Sequence, residues 1–359
     1  MKKLKVGIIG CGGIANNKHL PAMKRNGNFE VVAFCDIKPE EAEKTKKLYG
    51  TEDARVYTDY KELIKEDLDA VYVLTPNSSH AHITVDALKA GKHVMCEKPM
   101  AKTYEEAKQM VETAKETGKI LTIGYQNRYR SDSTYLKRSC ENGDLGEIYY
   151  AKAHAVRRRA VPTWGVFLDE EAQGGGPLID IGTHALDLTL WMMNNYEPES
   201  VMGSVYRKLA DQTEQGNMFG EWDPKKFTVE DSAFGFIKMK NGATIHLEAS
   251  WALNTLDVHE AQTSLCGTKA GADMKEGLRI NRVQYNKQCV EKPDLGSGAV
   301  AYFDGKAETE SDIEQRIFYH AVADGEPVVV KPEQAIVVTQ ILEAIYESAK
   351  TNKTIYFDK

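Results

Sequence analysis

The chain has 359 residues, of which 42% are hydrophobic and 28% are charged, and this composition excludes a mainly disordered or collagen-like protein. Its 46 Lys and Arg residues against 53 Asp and Glu residues give a net charge of −7, which argues against a general nucleic-acid-binding surface. The length predicts two domains, each able to bury a hydrophobic core.

Cysteine usage and apolar runs indicate the cellular compartment. The 6 cysteines form no CxxC or CxxH pair, which is typical of a protein in a reducing environment. The apolar run near the N-terminus is too short for a secretory signal, and no run approaches the roughly 18 residues that a membrane span requires. We therefore expect a cytoplasmic protein without a membrane or nucleic-acid partner.

Short apolar runs alternate with helical patterns over the first 125 residues. The candidate strands are apolar on both faces, as in a parallel sheet covered on both sides, and they span residues 6–9, 31–35, 70–74, 93–96 and 120–123. The helical patterns span residues 14–25, 39–49, 60–65, 80–90 and 104–117, and Thr103 with Glu106 predicts a capping box before the last. This alternation predicts βαβ units and a doubly wound sheet.

A glycine-rich motif follows the first predicted strand and leads directly into a helical pattern. It consists of Gly10, Cys11, Gly12, Gly13, Ile14 and Ala15, and it matches the dinucleotide fingerprint GxGxxA. Gly10 permits a tight turn, Gly12 permits close approach of a pyrophosphate, and Ala15 permits close packing of the helix. A glycine-rich turn without a ligand is the alternative interpretation.

The end of the second strand bears on the choice of dinucleotide. Asp36, followed by Ile37, can accept hydrogen bonds from the adenosine ribose, which favours NAD. The ammonium of Lys38 keeps NADP as the alternative, because it can meet a 2′-phosphate.

A charged pair, Glu97 and Lys98, follows the fourth predicted strand and precedes Pro99. Open α/β sheets bind ligands at the carboxyl ends of their parallel strands. Pro99 restricts Lys98 to extended geometry and permits a cis peptide bond. Lys98 is therefore a catalytic candidate, and an exposed salt-bridging loop is the alternative.

The pattern changes after residue 125, where an α+β domain is predicted. Residues 147–156, 200–207, 233–239 and 244–251 are candidate strands, several of them alternating apolar and polar residues. Asn241 and Gly242 predict a hairpin turn between the last two. Such strands favour an antiparallel sheet.

An apolar helix preceded by three glycines and Pro177 contains the most informative polar residues. Asp180, His184, Asp187 and Trp191 are spaced four, three and four residues apart, so the spacing places them on one helical face. A carboxylate and an imidazole are costly to bury without a partner or a function. We expect His184 to move a proton and Asp180 to orient it or bind a substrate hydroxyl, beside a glycine loop with exposed backbone. A structural Asp–His hydrogen bond is the alternative.

Two other site classes find little support in the motifs. Residues His154, Asp180, His184 and His246 are potential zinc ligands, but neither HExxH nor paired-cysteine spacing is present, so we expect no metal. A serine hydrolase is disfavoured because the chain lacks a GxSxG elbow.

Together these motifs resemble the glucose–fructose oxidoreductase, inositol dehydrogenase and rhizopine catabolism (Gfo/Idh/MocA) family. The resemblance covers nearly the whole chain, at residues 10–15, 75–77 with His80, 90–99, 124–125 with Arg128, 174–187 and the tail from 318 to 349. It implies an α/β fold with a Rossmann domain, the doubly wound parallel sheet, over residues 1–125. It implies for residues 126–359 an α+β domain whose large, mostly antiparallel open sheet forms homodimers or homotetramers, with the C-terminal helix packing back towards the Rossmann domain.

The resemblance also implies roles for individual residues. His184 acts as general base on a substrate hydroxyl, Lys98 and Asp180 position the substrate, and hydride passes to the nicotinamide. The implied cofactor contacts beyond the fingerprint, Asp36 and Ile37 are Thr75, Pro76, Asn77, His80, Glu97, Lys98, Asn127 and Arg128. The implied substrate contacts are Lys98, Tyr125, Trp164, Asp180 and His184, with Trp164 stacking on a sugar ring.

The resemblance also bears on the class of substrate. A neutral sugar, inositol or related cyclic polyol is expected. Arg157, Arg158 and Arg159 can recognise a carboxylate or phosphate, although a solvated loop or subunit contact is the favoured interpretation. The polar stretch 211–226 predicts a long loop near the site or an interface.

Three functions remain open on the sequence. The first is an NAD-dependent sugar or polyol dehydrogenase. The second is an enzyme that cleaves glycosides through transient oxidation at C3 with NAD. The third is a sensor without catalytic activity, which the presence of Lys98, Asp180 and His184 disfavours.

Overall fold

The computed structural model describes residues 3–295 and 308–357, and the chain divides into two compact units. The first consists of Met1–Tyr129 and Gly305–Ile336, and the second of Arg130–Asp304 and Val337–Lys359. The domain boundary at residue 125 and the docking of the C-terminal helix stay predictions.

The first unit is built on a parallel sheet of six strands. They are β1 (Leu4–Ile9), β2 (Phe29–Cys35), β3 (Gly50–Tyr57), β4 (Ala70–Val73), β5 (His93–Cys96) and β6 (Leu121–Ile123), in the order β3-β2-β1-β4-β5-β6. Ile9 pairs with Cys35 on one side and Val73 on the other, so the strands end side by side. This order is that of a doubly wound Rossmann sheet and confirms the predicted fold class.

The five predicted strands are present, but β3 escaped prediction. It lies at the sheet edge, and most of its eight residues are polar and at least partly exposed. An edge strand with one solvated face carries no continuous apolar run, which is the signal used for its neighbours.

Helices connect these strands. They are α1 (Leu20–Asn26), α2 (Pro39–Tyr49), α3 (Tyr60–Leu63), α4 (His80–Lys89) and α5 (Tyr104–Thr117), and a π-helix, Ala15–His19, precedes α1. The single helix predicted at residues 14–25 is therefore two segments. The predicted capping box is present, since Thr103 Oγ1 accepts the Glu106 backbone N–H at 3.2 Å.

The second unit contains a sheet of nine strands. They are β7 (Ile148–Val156), β8 (Pro198–Tyr206), β9 (Ser232–Met239), β10 (Thr244–Ser250), β11 (His259–Gly267), β12 (Ala270–Asp273), β13 (Arg279–Gln284), β14 (Lys287–Glu291) and β15 (Ile355–Tyr356). The order is β14-β13-β12-β11-β7-β10-β9-β8-β15, and every pair is antiparallel except β7 with β10. The predicted mostly antiparallel sheet is confirmed.

Helices cover one face of this sheet. Helices α6 (Ser131–Glu141), α7 (Glu170–Gln173), a π-helix at Leu178–Gly182, α8 (Thr183–Met193) and most of α10 (Pro332–Thr351) belong to this unit, whereas α9 (Glu310–Asp324) belongs to the first. A Cβ at Gly203 or Gly235 would lie within 2.7 Å of the Ile345 side chain, so these two glycines let α10 pack directly on β8 and β9. The other face of the same strands exposes Met202, Tyr206 and Phe236.

Over residues 3–295 and 308–357, the structure contains no helix that is both long enough and apolar enough to cross a membrane.

Candidate active site

The fingerprint loop follows β1 in the first unit. Gly10 has a φ of +94°, and a Cβ there would lie 2.5 Å from the Leu74 carbonyl oxygen, so this turn requires glycine. At Gly12 the Cβ position has no described atom within 4 Å, and Gly12, Gly13 and Ile14 are exposed. The loop therefore leaves open space beside its backbone, as the predicted approach of a pyrophosphate requires.

Asp36 lies directly beside this loop at the end of β2. Its Oδ2 accepts the Cys11 backbone N–H at 2.9 Å, and its Oδ1 accepts the Lys38 backbone N–H at 2.9 Å. These bonds fix the orientation of the carboxylate while each oxygen keeps a second lone pair. Ile37 and Lys38 are exposed next to it. The predicted ribose-binding group is thus held in place by the fingerprint loop.

His80 joins the loops that follow β4 and β5. The ring is buried, with Nδ1 at 2.7 Å from the Pro99 carbonyl oxygen and Nε2 at 2.8 Å from the Thr75 carbonyl oxygen. Burial lowers the pKa of His80. Both ring nitrogens lie within hydrogen-bond distance of the protein, so His80 holds the two loops together, and its expected contact with the cofactor stays a prediction. Pro76 is exposed, Thr75 is half-buried and Asn77 is nearly buried.

Glu97 is buried in a charged cluster rather than exposed at the sheet edge. Its Oε1 accepts from Lys18 Nζ at 2.7 Å and lies 2.8 Å from His19 Nε2, and its Oε2 accepts the Lys98 backbone N–H at 3.0 Å. Burial acts to raise the pKa of Glu97, but the Lys18 ammonium and the bond from His19 outweigh it and hold the pKa well below its ordinary value. Glu97 therefore anchors the backbone of Lys98, and its expected contact with the cofactor stays a prediction.

The same cluster contains residues that sequence analysis missed. Lys18 Nζ lies 3.1 Å from an oxygen of Glu314, whose side chain is completely buried, and His19 Nδ1 lies 3.0 Å from the amide nitrogen of Gln315. Burial acts to lower the pKa of Lys18, but Glu314 and Glu97 raise it. No local pattern marks a partner so distant in the chain. The Lys98–Pro99 peptide bond that follows the cluster is cis.

In the segment that follows β6, the side chain of Arg128 is bonded to the protein itself. Arg128 is completely buried, and its Nη1 donates to the Val329 carbonyl oxygen at 3.1 Å and to Gln334 Oε1 at 2.7 Å. These bonds hold Arg128 within the first unit, and its predicted contact with the cofactor stays a prediction. Tyr125 is buried and Asn127 is half-buried.

In the second unit, Asp180 lies on the π-helix and His184 on the first turn of α8. Asp180 Oδ2 accepts the indole N–H of Trp251 at 3.0 Å, and Trp251 is completely buried directly after β10. His184 is nearly buried. π-Helical segments are rare and often occur at functional sites, which fits the position of Asp180.

The positive charge of Arg157 interacts with the Asp180 carboxylate. Arg157 Nε and Nη2 donate to the two oxygens of Glu260 at 2.6 and 2.5 Å. Burial acts to lower the pKa of Arg157, but Glu260 and Asp180 raise it. Arg159 Nη2 donates to Asn254 at 2.7 Å, and Arg158 is exposed. Arg157 and Arg159 are thus engaged with neighbouring side chains.

The glycine triplet before the π-helix is packed rather than exposed. A Cβ at Gly175 would overlap the Tyr346 hydroxyl, and a Cβ at Gly176 would overlap the Glu230 carbonyl oxygen. The expectation of an exposed glycine backbone is wrong, because Gly175 and Gly176 are buried. These glycines allow close packing instead of ligand approach.

Glu230 holds the start of this helix and was not predicted. Its carboxylate accepts the backbone N–H groups of Gly176 and Leu178 at 2.7 and 3.0 Å, and the Tyr346 hydroxyl at 2.8 Å. Burial raises the pKa of Glu230 despite these bonds. Glu230 thereby satisfies helix-terminal N–H groups that would otherwise be buried without partners.

Trp164 lies on a loop after β7 and is half exposed. Its ring centroid is 5.8 Å from that of Phe167 and 5.0 Å from that of Phe219, which belongs to the predicted loop 211–226. That stretch is irregular throughout.

In the described part of the chain, three potential metal ligands lie close together in the first unit. They are His320, Asp324 and Glu326, which are distant in sequence from Lys98.

Comparison with known protein families shows the family to which the chain belongs. Residues 4–125 match the oxidoreductase family with an NAD-binding Rossmann fold, and residues 133–273 match the Gfo/Idh/MocA C-terminal domain. The chain belongs to the Gfo/Idh/MocA family. The resemblance inferred from the motifs is confirmed.

Similar proteins include several sugar dehydrogenases. The chain is 38% identical to D-glucoside 3-dehydrogenase of Escherichia coli (strain K12), covering 98% of this chain and 97% of the relative. It is 32% identical to glucose-6-phosphate 3-dehydrogenase of Bacillus subtilis (strain 168), covering 68% and 67%. The structure of levoglucosan dehydrogenase with NADH and levoglucosan covers both chains completely, with a TM-score of 0.83 and 22% identity, and shows the shared fold.

The Gfo/Idh/MocA chain is therefore an NAD-dependent oxidoreductase. Its first unit fits NAD on structural grounds, because Gly10 makes the required turn, Gly12 leaves the space for the pyrophosphate and Asp36 is oriented beside the loop.

Proposed function

We propose that this protein reversibly oxidises a secondary hydroxyl of a sugar, inositol or related cyclic polyol to a ketone, and that the C3 hydroxyl of a glucoside is the first substrate to test. The observation that carries the proposal is the orientation of Asp180 by Trp251 on the helical segment that leads into His184. Similarity to D-glucoside 3-dehydrogenase over 98% of the chain supports the glucoside.

Each of three side chains has a defined task in this proposal. His184 accepts the proton of the substrate hydroxyl as general base, and Asp180 orients the imidazole or the hydroxyl. Lys98, anchored through its backbone by Glu97, donates a hydrogen bond to the same substrate oxygen. NAD, when bound, supplies the nicotinamide C4 that accepts the hydride.

The proposed cofactor contacts come from the segments that follow strands β1, β2, β4, β5 and β6 of the first unit. They are Gly10 to Ala15, Asp36, Ile37, Thr75, Pro76, Asn77, His80, Glu97, Lys98, Asn127 and Arg128. Three of these side chains, His80, Glu97 and Arg128, also hold their own loops in place, because their polar atoms are bonded to the protein itself. Tyr125 and Trp164 complete the proposed substrate contacts.

We also propose that the uncovered face of the nine-stranded sheet forms a homodimer or homotetramer. Met202 pairs directly with Phe236 on adjacent strands, and both side chains are more than half exposed. Exposed apolar side chains grouped on one face favour a protein partner. Sedimentation of the wild type and of Phe236→Asp tests this, since the charge is expected to dissociate the oligomer.

A substrate panel tests the proposed activity. Glucosides, free sugars, inositols and uronic acids are offered with NAD and with NADP, and the absorbance of the reduced cofactor is followed. Net NADH formation with at least one glucoside or polyol is expected, and release of an aglycone without net NADH would instead indicate glycoside cleavage. Lys98→Ala and His184→Ala are expected to abolish hydride transfer while NAD binding is retained; unchanged turnover in either variant contradicts the assigned roles.

A further inference from the structure

Four apolar side chains are exposed together on two loops of the second unit. Trp164 is 53% exposed, Val166 37%, Met218 75% and Phe219 39%. The rings of Trp164 and Phe219 lie 5.0 Å apart at an interplanar angle of 85°. We call these four residues the aromatic platform. Contiguous exposed apolar side chains rimmed by polar residues mark binding sites more often than isolated ones do.

The platform is held rigidly, because the two loops are bonded to each other. Asn217 Oδ1 accepts the Val161 backbone N–H at 2.8 Å, and its Nδ2 donates to the Val161 carbonyl oxygen at 2.9 Å. The Met218 backbone N–H donates to the Arg159 carbonyl oxygen at 3.0 Å, and Thr163 Oγ1 donates to the Phe219 carbonyl oxygen at 2.6 Å. Rings that are fixed before binding lose little conformational entropy on contact with a ligand.

A buried pair of residues supports the longer loop from within. The Gln215 side chain donates to the Trp222 carbonyl oxygen at 2.9 Å and accepts the Trp222 backbone N–H at 2.7 Å. The Trp222 indole N–H donates to the Ala210 carbonyl oxygen at 2.8 Å. The stretch 211–226 is therefore an ordered loop that presents Met218 and Phe219 to solvent.

The platform is continuous with the proposed catalytic carboxylate. Phe167 contacts Trp164 on one side, with ring centroids 5.8 Å apart, and Trp251 on the other, with centroids 6.4 Å apart. Trp251 in turn donates its indole N–H to Asp180. One aromatic cluster thus extends from the side chain that is proposed to handle the reacting hydroxyl to the exposed rings.

We propose that the aromatic platform binds the aglycone of the substrate, and that the substrate is a glucoside whose anomeric oxygen bears an apolar, aromatic group. This inference rests on the proposed function. A sugar ring placed with one hydroxyl at Asp180 and His184 carries its anomeric substituent away from that hydroxyl, and a flat ring there meets the edge and face of Trp164 and Phe219.

The size of the platform favours a small ligand over a protein. Four partly exposed side chains offer at most a few hundred Å². A stable protein interface buries roughly 800 Å² on each partner. The platform is also on loops, whereas the proposed oligomer face is on strands β8 and β9.

The test compares methyl and phenyl glucosides of both anomeric configurations as substrates with NAD. The variants are Phe219→Ala and Met218→Ala, and the control is Val290→Ala, which shortens an exposed apolar side chain of β14. We expect the wild type and the control to prefer the phenyl glucoside by at least about fivefold in kcat/KM, mainly through KM. We expect the platform variants to lose this preference while their kcat/KM for the methyl glucoside is unchanged.

The results that would contradict the platform proposal can be told apart from one another. Oxidation of the methyl glucoside without a phenyl preference overturns the platform proposal and leaves the proposed function intact. Retention of the phenyl preference in both platform variants also overturns the platform proposal. A changed oligomeric state of Met218→Ala in sedimentation overturns it as well, because the aromatic platform would then be a protein interface. Failure of the wild type to oxidise any glucoside overturns the glucoside assignment itself, and the inference with it.

Discussion

The indole N–H of Trp251 donates a hydrogen bond to Oδ2 of Asp180 over 3.0 Å, between residues 71 positions apart in the chain. Trp251 has no freedom to turn away, because it is completely buried and its ring contacts those of Phe167 and Phe227. One oxygen of the carboxylate is therefore fixed before any substrate arrives.

Trp251→Phe is expected to lower kcat/KM roughly tenfold, because it removes the bond to Asp180 while keeping an aromatic ring in the core. Steady-state kinetics with the best substrate of the panel measure this. Tyr60→Phe is the control, since it removes a side-chain hydrogen bond to Asp86 that lies outside the proposed site. Equal losses in the two variants would show that the effect is general destabilisation.

Lys18→Met is expected to lower the free energy of unfolding by about 3 kcal/mol, because it leaves the buried carboxylates of Glu97 and Glu314 without their ammonium. Chemical denaturation measures it. Lys5→Met removes an exposed ion pair with Asp67 and is expected to have a far smaller effect.

The same variant is expected to be more sensitive to acid. Because the pKa of Glu97 is held well below its ordinary value of 4.5, its contribution to stability is present above that value and is lost as the pH falls through the lowered pKa. Without Lys18 this pKa rises, so the loss begins at a higher pH. An identical acid-unfolding midpoint in wild type and Lys18→Met would contradict the assignment.

Glu230→Gln is expected to flatten the pH dependence of stability above pH 4.5. The pKa of Glu230 is raised by burial, so its contribution is complete below the ordinary value of 4.5 and is lost as the pH rises through the raised pKa. A tenfold difference in proton affinity between the folded and unfolded states corresponds to about 1.4 kcal/mol of stability. The amide of Glu230→Gln does not ionise, so this variant does not lose stability in that way as the pH rises. Denaturation between pH 4 and 7 tests this, with Glu214→Gln on an exposed loop as control.

Gly12→Ala is expected to weaken NAD binding by roughly tenfold or more, because its Cβ would enter the space that the pyrophosphate requires. Its free energy of unfolding is expected to stay within about 0.5 kcal/mol of wild type, since no described atom lies within 4 Å of that Cβ. Gly10→Ala should instead destabilise the fold by about 1 to 3 kcal/mol, because of its positive φ and the Leu74 carbonyl oxygen. Calorimetric titration with NAD and denaturation separate the two effects. Equal NAD affinity in wild type and Gly12→Ala would contradict the proposal that the pyrophosphate lies beside Gly12.

Local signals were sufficient for most of the first unit. The bounds of β5, α2 and α5 agree with the sequence predictions to the residue, because a continuous apolar run, a proline at a helix start and a capping box are properties of neighbouring residues. Strands β11 to β14 were not predicted. Strands β11, β13 and β14 have largely polar, partly exposed sequences that lack the apolar alternation of a half-buried strand, and β12 is only four residues long.

The sequence by itself determined the βαβ alternation, the fingerprint loop, the position of Lys98 after β5 and the spacing of Asp180 and His184. Each of these features is built from patterns among residues that are close together in the chain. Only the tertiary structure decided which groups support them. Gln315 meets His19 across 296 positions, Glu230 meets the helix start from 52 positions away, and Trp251 meets Asp180. A buried polar atom must find a partner, but the order of the strands, rather than any local pattern, brings that partner to it.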